Sequence, residues 1–289
     1  MMWRDLVSNG PILTDGAWGT ELQKRGLGAG DCPDAWNLSH SEVVADVAAQ
    51  YLAAGSRVIL TNTFRANPIS LAAHGLASRA AEINRAGAAI SKQAAAGALV
   101  FGSIGPCGKL LTAGEVTEGE LLTAFRVQVG ALAAGGADAL LLETFSELEE
   151  ALLALTAAKA TGLPVVVSFA FDTGKNKDRT MTGVTPEQAA AAMTDAGADA
   201  VGANCGVGIG QFVALCRRMR AATRLPLWMK PNAGMPELVN GAVEYRVTAQ
   251  QFAASVPILC DAGASFIGGC CGTNPQFIRA TAASLGRCA

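Results

Sequence analysis

Three cysteines have the residue type and spacing for metal chemistry. Cys205 closes the run Gly202-Ala203-Asn204-Cys205, and the pair Cys270-Cys271 sits inside Gly268-Gly269-Cys270-Cys271-Gly272. Thiolate sulfur is a soft donor and suits zinc, a borderline-soft ion that favours tetrahedral sites. Three protein ligands leave a fourth position open, which is the mark of a catalytic rather than a structural site. The surrounding glycines let backbone approach a metal closely. A buried cysteine is otherwise a small apolar side chain. That reading is kept for Cys32, Cys107, Cys216, Cys260 and Cys288, and residue type alone leaves it open for the other three as well.

Position separates them. Four stretches of the chain read alike, around Gly55, Gly136, Gly197 and Gly263. Each follows an alanine-rich helical pattern, and each glycine suits the left-handed position that ends a helix. A short apolar run follows, as in a strand buried on both faces. The seventh and eighth residues after the glycine are Asn62 and Thr63, Glu143 and Thr144, Asn204 and Cys205, Cys270 and Cys271. Further strands are expected at 11–14, 98–102, 164–169 and 226–229. Helices are expected at 41–54, 76–96, 117–134, 147–160, 186–196, 210–222, 248–262 and 275–285. Eight such units predict an α/β fold of the (β/α)8 barrel (TIM barrel) type, a single domain over 1–289. The alternative is an open doubly wound sheet, but no glycine-rich dinucleotide fingerprint opens the chain. In a barrel the C-terminal strand ends share one rim, so the three cysteines converge there.

Composition narrows the function. Lys plus Arg is 22 and Asp plus Glu is 24, a net charge of −2. That balance argues against nucleic acid and against an anionic membrane surface. Half of the residues are hydrophobic, 51%, yet no apolar run reaches the roughly 18 residues of a spanning helix. The first ten residues carry no signal-peptide core, so a cytoplasmic protein is expected. Eight cysteines in such a chain point to metal or catalysis rather than to disulfides.

The motifs carry a resemblance. Phe266-Ile267-Gly268-Gly269-Cys270-Cys271-Gly272-Thr273-Asn274-Pro275, with Gly202-Ala203-Asn204-Cys205, resembles the zinc signature of the homocysteine S-methyltransferase family. So do Asp15-Gly16-Ala17-Trp18-Gly19-Thr20 at the first strand and Thr61-Asn62-Thr63-Phe64-Arg65-Ala66-Asn67 at the second. Gly102-Ser103-Ile104-Gly105-Pro106, Glu143-Thr144-Phe145 and Lys230-Pro231-Asn232-Ala233-Gly234 follow at the third, fourth and seventh. Within the family the nearest likeness is to the homocysteine-binding module of the cobalamin-dependent methionine synthases.

The resemblance implies zinc on Cys205, Cys270 and Cys271, activating the thiol of homocysteine for in-line attack on a donor methyl, with methionine as product. It implies Asp15 and Glu143 as partners of the substrate ammonium. Backbone N–H groups at 16–19, Gly16 among them, and at 103–105, starting at Ser103, would take its carboxylate. Asn232 would be either a weak fourth ligand in the absence of substrate or a turn residue. Lys230 reads as a structural rim lysine, and His40 and His74 as surface residues.

The chain ends after its eighth unit, so the donor is expected to be a free small molecule or a separate protein. Methylcobalamin on a corrinoid protein, S-methylmethionine, S-adenosylmethionine and betaine all qualify. The charged segment 172–182 is either a lid or docking surface over the rim or a solvated loop. Two other classes stay open: a zinc methyltransferase for another thiol or selenol, and a non-catalytic zinc- or thiol-binding barrel.

Overall fold

The computed structural model describes residues 6–8, 10–239 and 242–286. Eight parallel strands follow the chain: β1 (Ile12–Leu13), β2 (Val58–Leu60), β3 (Leu99–Ile104), β4 (Ala139–Phe145), β5 (Val165–Phe169), β6 (Ala200–Gly208), β7 (Leu227–Asn232) and, after a hairpin, β10 (Ala264–Ile267). Their order in the sheet is β1-β10-β7-β6-β5-β4-β3-β2. A parallel bridge from Thr14 to Val58, and the Arg57 N–H on the Leu13 carbonyl at 2.9 Å, bring the two edges together into a nearly closed barrel. The predicted fold class is therefore the observed one. The four repeat glycines have φ of 107°, 94°, 78° and 99°, the left-handed values inferred from their place after a helix.

Side chains alternate along each strand. One set fills the barrel: Ile12, Val58, Leu60, Phe101, Ala139, Leu141, Val166, Ala200, Trp228 and Phe266 form one buried cluster. The other set packs outward on the helices, as Leu140, Leu142, Val165 and Val167 do. Helix starts follow their sequence signals. Thr117, Thr185 and Thr248 each close a capping box, with Glu120, Gln188 and Gln251 respectively. At Gly202 the barrel wall has no room for a side chain, because a Cβ would stand 1.9 Å from the Trp228 carbonyl oxygen.

Two features depart from expectation. The stretch 248–262 is two helices, Ala249–Ala254 and Val256–Asp261. Pro257, in the first turn of the second, supplies no N–H to continue the first. Between β7 and those helices the chain forms an antiparallel hairpin, β8 (Pro236–Val239) with β9 (Ala242–Tyr245). Cys288 lies outside the described residues. No described helix is long and apolar enough to cross a membrane.

Candidate functional site

The inward set of side chains carries on past the apolar core. Two residues beyond Phe101 is Ser103, beyond Leu141 is Glu143, and beyond Trp228 is Lys230. Strand alternation alone thus lays a polar layer over the barrel core at its C-terminal mouth.

Cys205, Cys270 and Cys271 come together above that layer. Their three sulfurs lie within 4.8 Å of one another, and Cys205 Sγ is 3.7 Å from Cys271 Sγ. Ligands of a tetrahedral ion with bonds of about 2.3 Å stand about 3.8 Å apart, so that edge already has metal-site length. The loops are pinned for the purpose. Cys270 N–H donates to the Pro231 carbonyl at 2.8 Å, Ala233 N–H to that of Cys271 at 2.9 Å, and Gly269 N–H to that of Asp15 at 3.0 Å. Cys205 has φ 61° and Thr144 has φ 65°. Side chains seldom hold that left-handed geometry unless the surroundings enforce it, as functional sites do.

Asn204 enforces it. Its Oδ1 accepts from Thr144 N–H at 2.8 Å and from Ser168 Oγ at 2.7 Å. Its amide donates to Thr144 Oγ1 at 2.6 Å and reaches Cys270 Sγ at 3.9 Å. The strand ends that carry Glu143 and Cys205 are thereby locked together.

The three thiols titrate as one unit. Hydrogen bonds from Cys270 and Cys271 pull Cys205 well below the ordinary thiol range, and the same bonds push its partners up. The Asn232 amide also favours the Cys205 thiolate. Asn232 Oδ1 is buried without a hydrogen-bond partner among the described residues. A buried acceptor without a donor is uncommon, and a cation beside it resolves the deficit. Three soft donors and an orphaned oxygen fit a borderline-soft metal ion.

The carboxylates differ in their surroundings. Glu143 accepts from Ser103 Oγ at 2.5 Å. Burial raises its pKa, against the pull of Lys230 and of the Ser103 hydrogen bond. Both oxygens of Asp15 have partners within the protein. One oxygen takes the Lys230 ammonium at 2.5 Å, and the other accepts from Trp18 Nε1 at 2.7 Å and Leu60 N–H at 2.8 Å. Gly16 serves packing, since a Cβ there would meet the Tyr51 hydroxyl at 2.8 Å and Thr273 Oγ1 at 2.9 Å. Ser103 N–H is engaged by Thr61 Oγ1, and Gly105 N–H by the Phe64 carbonyl.

A cavity of about 320 Å³ opens over the sulfurs. Glu143, Ser103 and the three cysteines line it, with Trp18, Asp34, Phe64 and Arg65 among the rest. Trp18, Phe64 and Arg65 belong to the first- and second-strand motifs quoted from the sequence but were given no role there, and Asp34 was not singled out at all. Tyr245 was missed for another reason, the unforeseen hairpin. Its ring lies against Gly272, and burial together with the sulfurs of Cys271 and Cys205 raises its pKa. The segment 172–182 does not line the cavity. Arg218 holds it through Asp178 at 2.5 Å and also binds Glu187. His40 and His74 are exposed.

Burial pushes the Asp34 carboxyl from 3.8 up to about 6. A carboxyl with a raised folded pKa binds its proton more tightly when folded. Its contribution to stability is present below about pH 4 and is lost as pH rises through about pH 6. A displacement of about two pH units corresponds to about 3 kcal/mol. Asp34→Asn keeps an acceptor for Arg65 N–H but does not titrate. Relative to the native chain it should gain up to about 3 kcal/mol between about pH 4 and pH 7 in urea unfolding. A gap that does not change with pH would refute the assignment.

Comparisons with known proteins agree with this geometry. A family model described as homocysteine S-methyltransferase matches residues 12–285. The chain is 30% identical over 298 residues to a methionine synthase from Mycobacterium tuberculosis, covering 97% of this chain and 25% of that protein. It thus spans about a quarter of the length of that relative. To betaine–homocysteine S-methyltransferase 1 of Mus musculus it is 32% identical over 302 residues, covering 95% of this chain and 72% of the relative. The metallated form of the homocysteine methyltransferase MmuM from Escherichia coli superposes with a TM-score of 0.82 at 26% identity. That match covers 97% of this chain and 98% of the other.

Proposed function

Because the chain belongs to the homocysteine S-methyltransferase family, we propose that it methylates the thiol of homocysteine at a zinc ion held by Cys205, Cys270 and Cys271. The observation that carries this reading is the convergence of the three sulfurs on a cavity that also exposes Glu143. When bound, zinc supplies a Lewis acid that keeps a coordinated thiol deprotonated near neutral pH.

The rest falls to the chain's own residues. Glu143, oriented by Ser103, takes the substrate ammonium in a charge-assisted hydrogen bond. Asp15 supports it at one remove, by fixing Lys230, whose charge helps keep Glu143 ionised. The backbone N–H groups of Gly16, Trp18 and Gly19 would hold the carboxylate, where helix Trp18–Lys24 begins without a side-chain cap, while Ala17 N–H donates to Thr273 Oγ1 at 3.2 Å. Asn232 lies beside Cys205, and its orphaned oxygen would serve as a weak further donor to a bound metal in the absence of substrate. Asn204 keeps the sulfurs and Glu143 in mutual register. In the transfer, the thiolate lone pair forms the new S–CH3 bond. The bond from that methyl to the donor breaks, and its electron pair leaves with the donor. One barrel domain would carry the whole site, in a protein of the cytoplasm.

The test is methionine formation by the zinc-loaded protein from homocysteine, with S-methylmethionine, S-adenosylmethionine, betaine and methylcobalamin supplied separately. Turnover with at least one donor is expected. A metal-loaded protein that is inactive with all four would contradict the reading. Activity with methylcobalamin alone would assign the donor to a separate corrinoid protein.

A further inference from the structure

Each of the three clustered sulfurs has a hydrogen-bond donor of its own. The Asn232 amide and the Gly206 N–H serve Cys205. The Asn204 amide reaches Cys270. Cys271 has the phenol of Tyr245, the last residue of β9, whose O–H donates to its sulfur. The strand that leaves the hairpin is built into the cysteine loops. The Tyr245 ring lies so close on Gly272 that a Cβ there would overlap it. Gly234 has φ 93°, and a Cβ on it would stand 2.7 Å from Val247 Cγ2. Val247 N–H donates to the Ala233 carbonyl at 3.3 Å, and Ala233 N–H to that of Cys271 at 2.9 Å. Two glycines and two backbone hydrogen bonds thus hold Tyr245 against Cys271. With Gly272 it lines a separate groove, and not the cavity over the sulfurs. Tyr245 therefore meets Cys271 from outside that cavity and acts on the reaction only through this sulfur.

Resting on the function proposed above, we propose that Tyr245 is a positioning residue of the metal centre, which keeps Cys271 from taking the methyl group meant for the substrate. A centre of three cysteine thiolates sets protein sulfurs beside the substrate sulfur, and each is a nucleophile. A hydrogen bond to a thiolate draws charge from its lone pairs and lowers both its basicity and its nucleophilicity. The protein's own sulfurs are damped in this way, and the incoming thiolate is left the stronger nucleophile. The reaction prevented is alkylation of Cys271. In it the Cys271 lone pair would form an S–CH3 bond, and the donor would leave with the electrons of the bond it loses. An anionic ligand would thereby become a neutral thioether, and the metal would lose a charged partner.

The test compares the native protein with Tyr245→Phe, which keeps the ring on Gly272 and removes only the hydroxyl. Both are loaded with zinc and exposed to limiting iodoacetamide, without homocysteine or a methyl donor. Alkylation is followed at each cysteine by peptide mass mapping. Loss of a charge-assisted hydrogen bond raises thiolate basicity about tenfold to a hundredfold. Nucleophilicity follows basicity with a Brønsted slope of about one half, so Cys271 should react about three- to tenfold faster in the variant. Cys205 and Cys270 should change less. In the cobalt-substituted variant the sulfur-to-cobalt absorption should move to longer wavelength, which a purely packing role would not produce. An unchanged Cys271 rate, or an unchanged cobalt spectrum, would leave Tyr245 a packing residue and overturn the inference. So would equal acceleration at all three cysteines, the mark of a loosened site rather than of one lost hydrogen bond. Neither readout uses homocysteine, so failure here is distinct from failure of the function, which the transfer assay reads.

Discussion

Cys205→Ser is expected to lower metal affinity by more than the roughly 10–100-fold that loss of an outer-sphere partner costs, and to abolish methyl transfer. A serine hydroxyl does not ionise near neutral pH and is a hard donor, so it replaces neither the charge nor the softness of the thiolate. The same result is expected for Cys270 and Cys271, whose sulfurs complete the cluster. The barrel should survive all three changes. The three cysteine residues are half-buried at the rim, while the core is filled by the ten inward apolar side chains and the strand–helix layers. Cys216→Ser is the control: that thiol is packed in the core against the Ala262 carbonyl, and it should affect stability rather than metal. Chelator competition for the metal, the transfer assay and thermal melts separate the two effects. Full activity in Cys205→Ser would remove the metal from the mechanism.

Lys230→Met should destabilise the protein by about 3–5 kcal/mol. The Lys230 ammonium is the counter-charge of Asp15, 2.5 Å away, with side-chain exposures of 2% and 0%. Without it, Asp15 keeps two N–H donors, from Trp18 and Leu60, but no opposite charge. A desolvated, unpaired carboxylate is far costlier than a missing ion pair. Glu143 loses a stabilising charge as well, and its pKa should rise further. The double change Asp15→Asn with Lys230→Met removes both charges and should recover most of the loss. Urea unfolding of the native chain, the two single variants and the double variant forms the cycle. A loss below about 1 kcal/mol in Lys230→Met would mean that water or another group already solvates Asp15.

Much of the frame was legible because it repeats. Gly55, Gly136, Gly197 and Gly263 each mark a helix end followed by a buried strand, and the spacing from glycine to polar residue carried Glu143, Cys205 and Cys270 to one rim. What did not repeat was harder to read. The ion pair joins residues 15 and 230, and nothing local to either shows it. That Lys230, Trp18 and Leu60 all bond to the carboxylate of Asp15 was not legible in the sequence. The alternation from Trp228 to Lys230 was the available cue, since it turns the lysine inward. The hairpin β8–β9 is inserted between β7 and the helices that follow it, and it was not foreseen although the sequence holds an Asn-Gly pair at 240–241, a strong hairpin signal. Arg65 reaches the cavity through a loop and Asp34 through the short 3-10 helix Pro33–Ala35, and the course of both depends on tertiary packing rather than on periodicity.

The most direct test of the central claim is the absorption spectrum of the cobalt-substituted protein, titrated with homocysteine. Cobalt reports the ligands around it through its d–d and sulfur charge-transfer bands, which zinc does not show. The account predicts a change on adding homocysteine, with stronger sulfur-to-cobalt absorption as a fourth sulfur enters, and no such change in Cys205→Ser. A spectrum that homocysteine leaves unaltered, in a protein that holds the metal, would contradict activation of the thiol at this site.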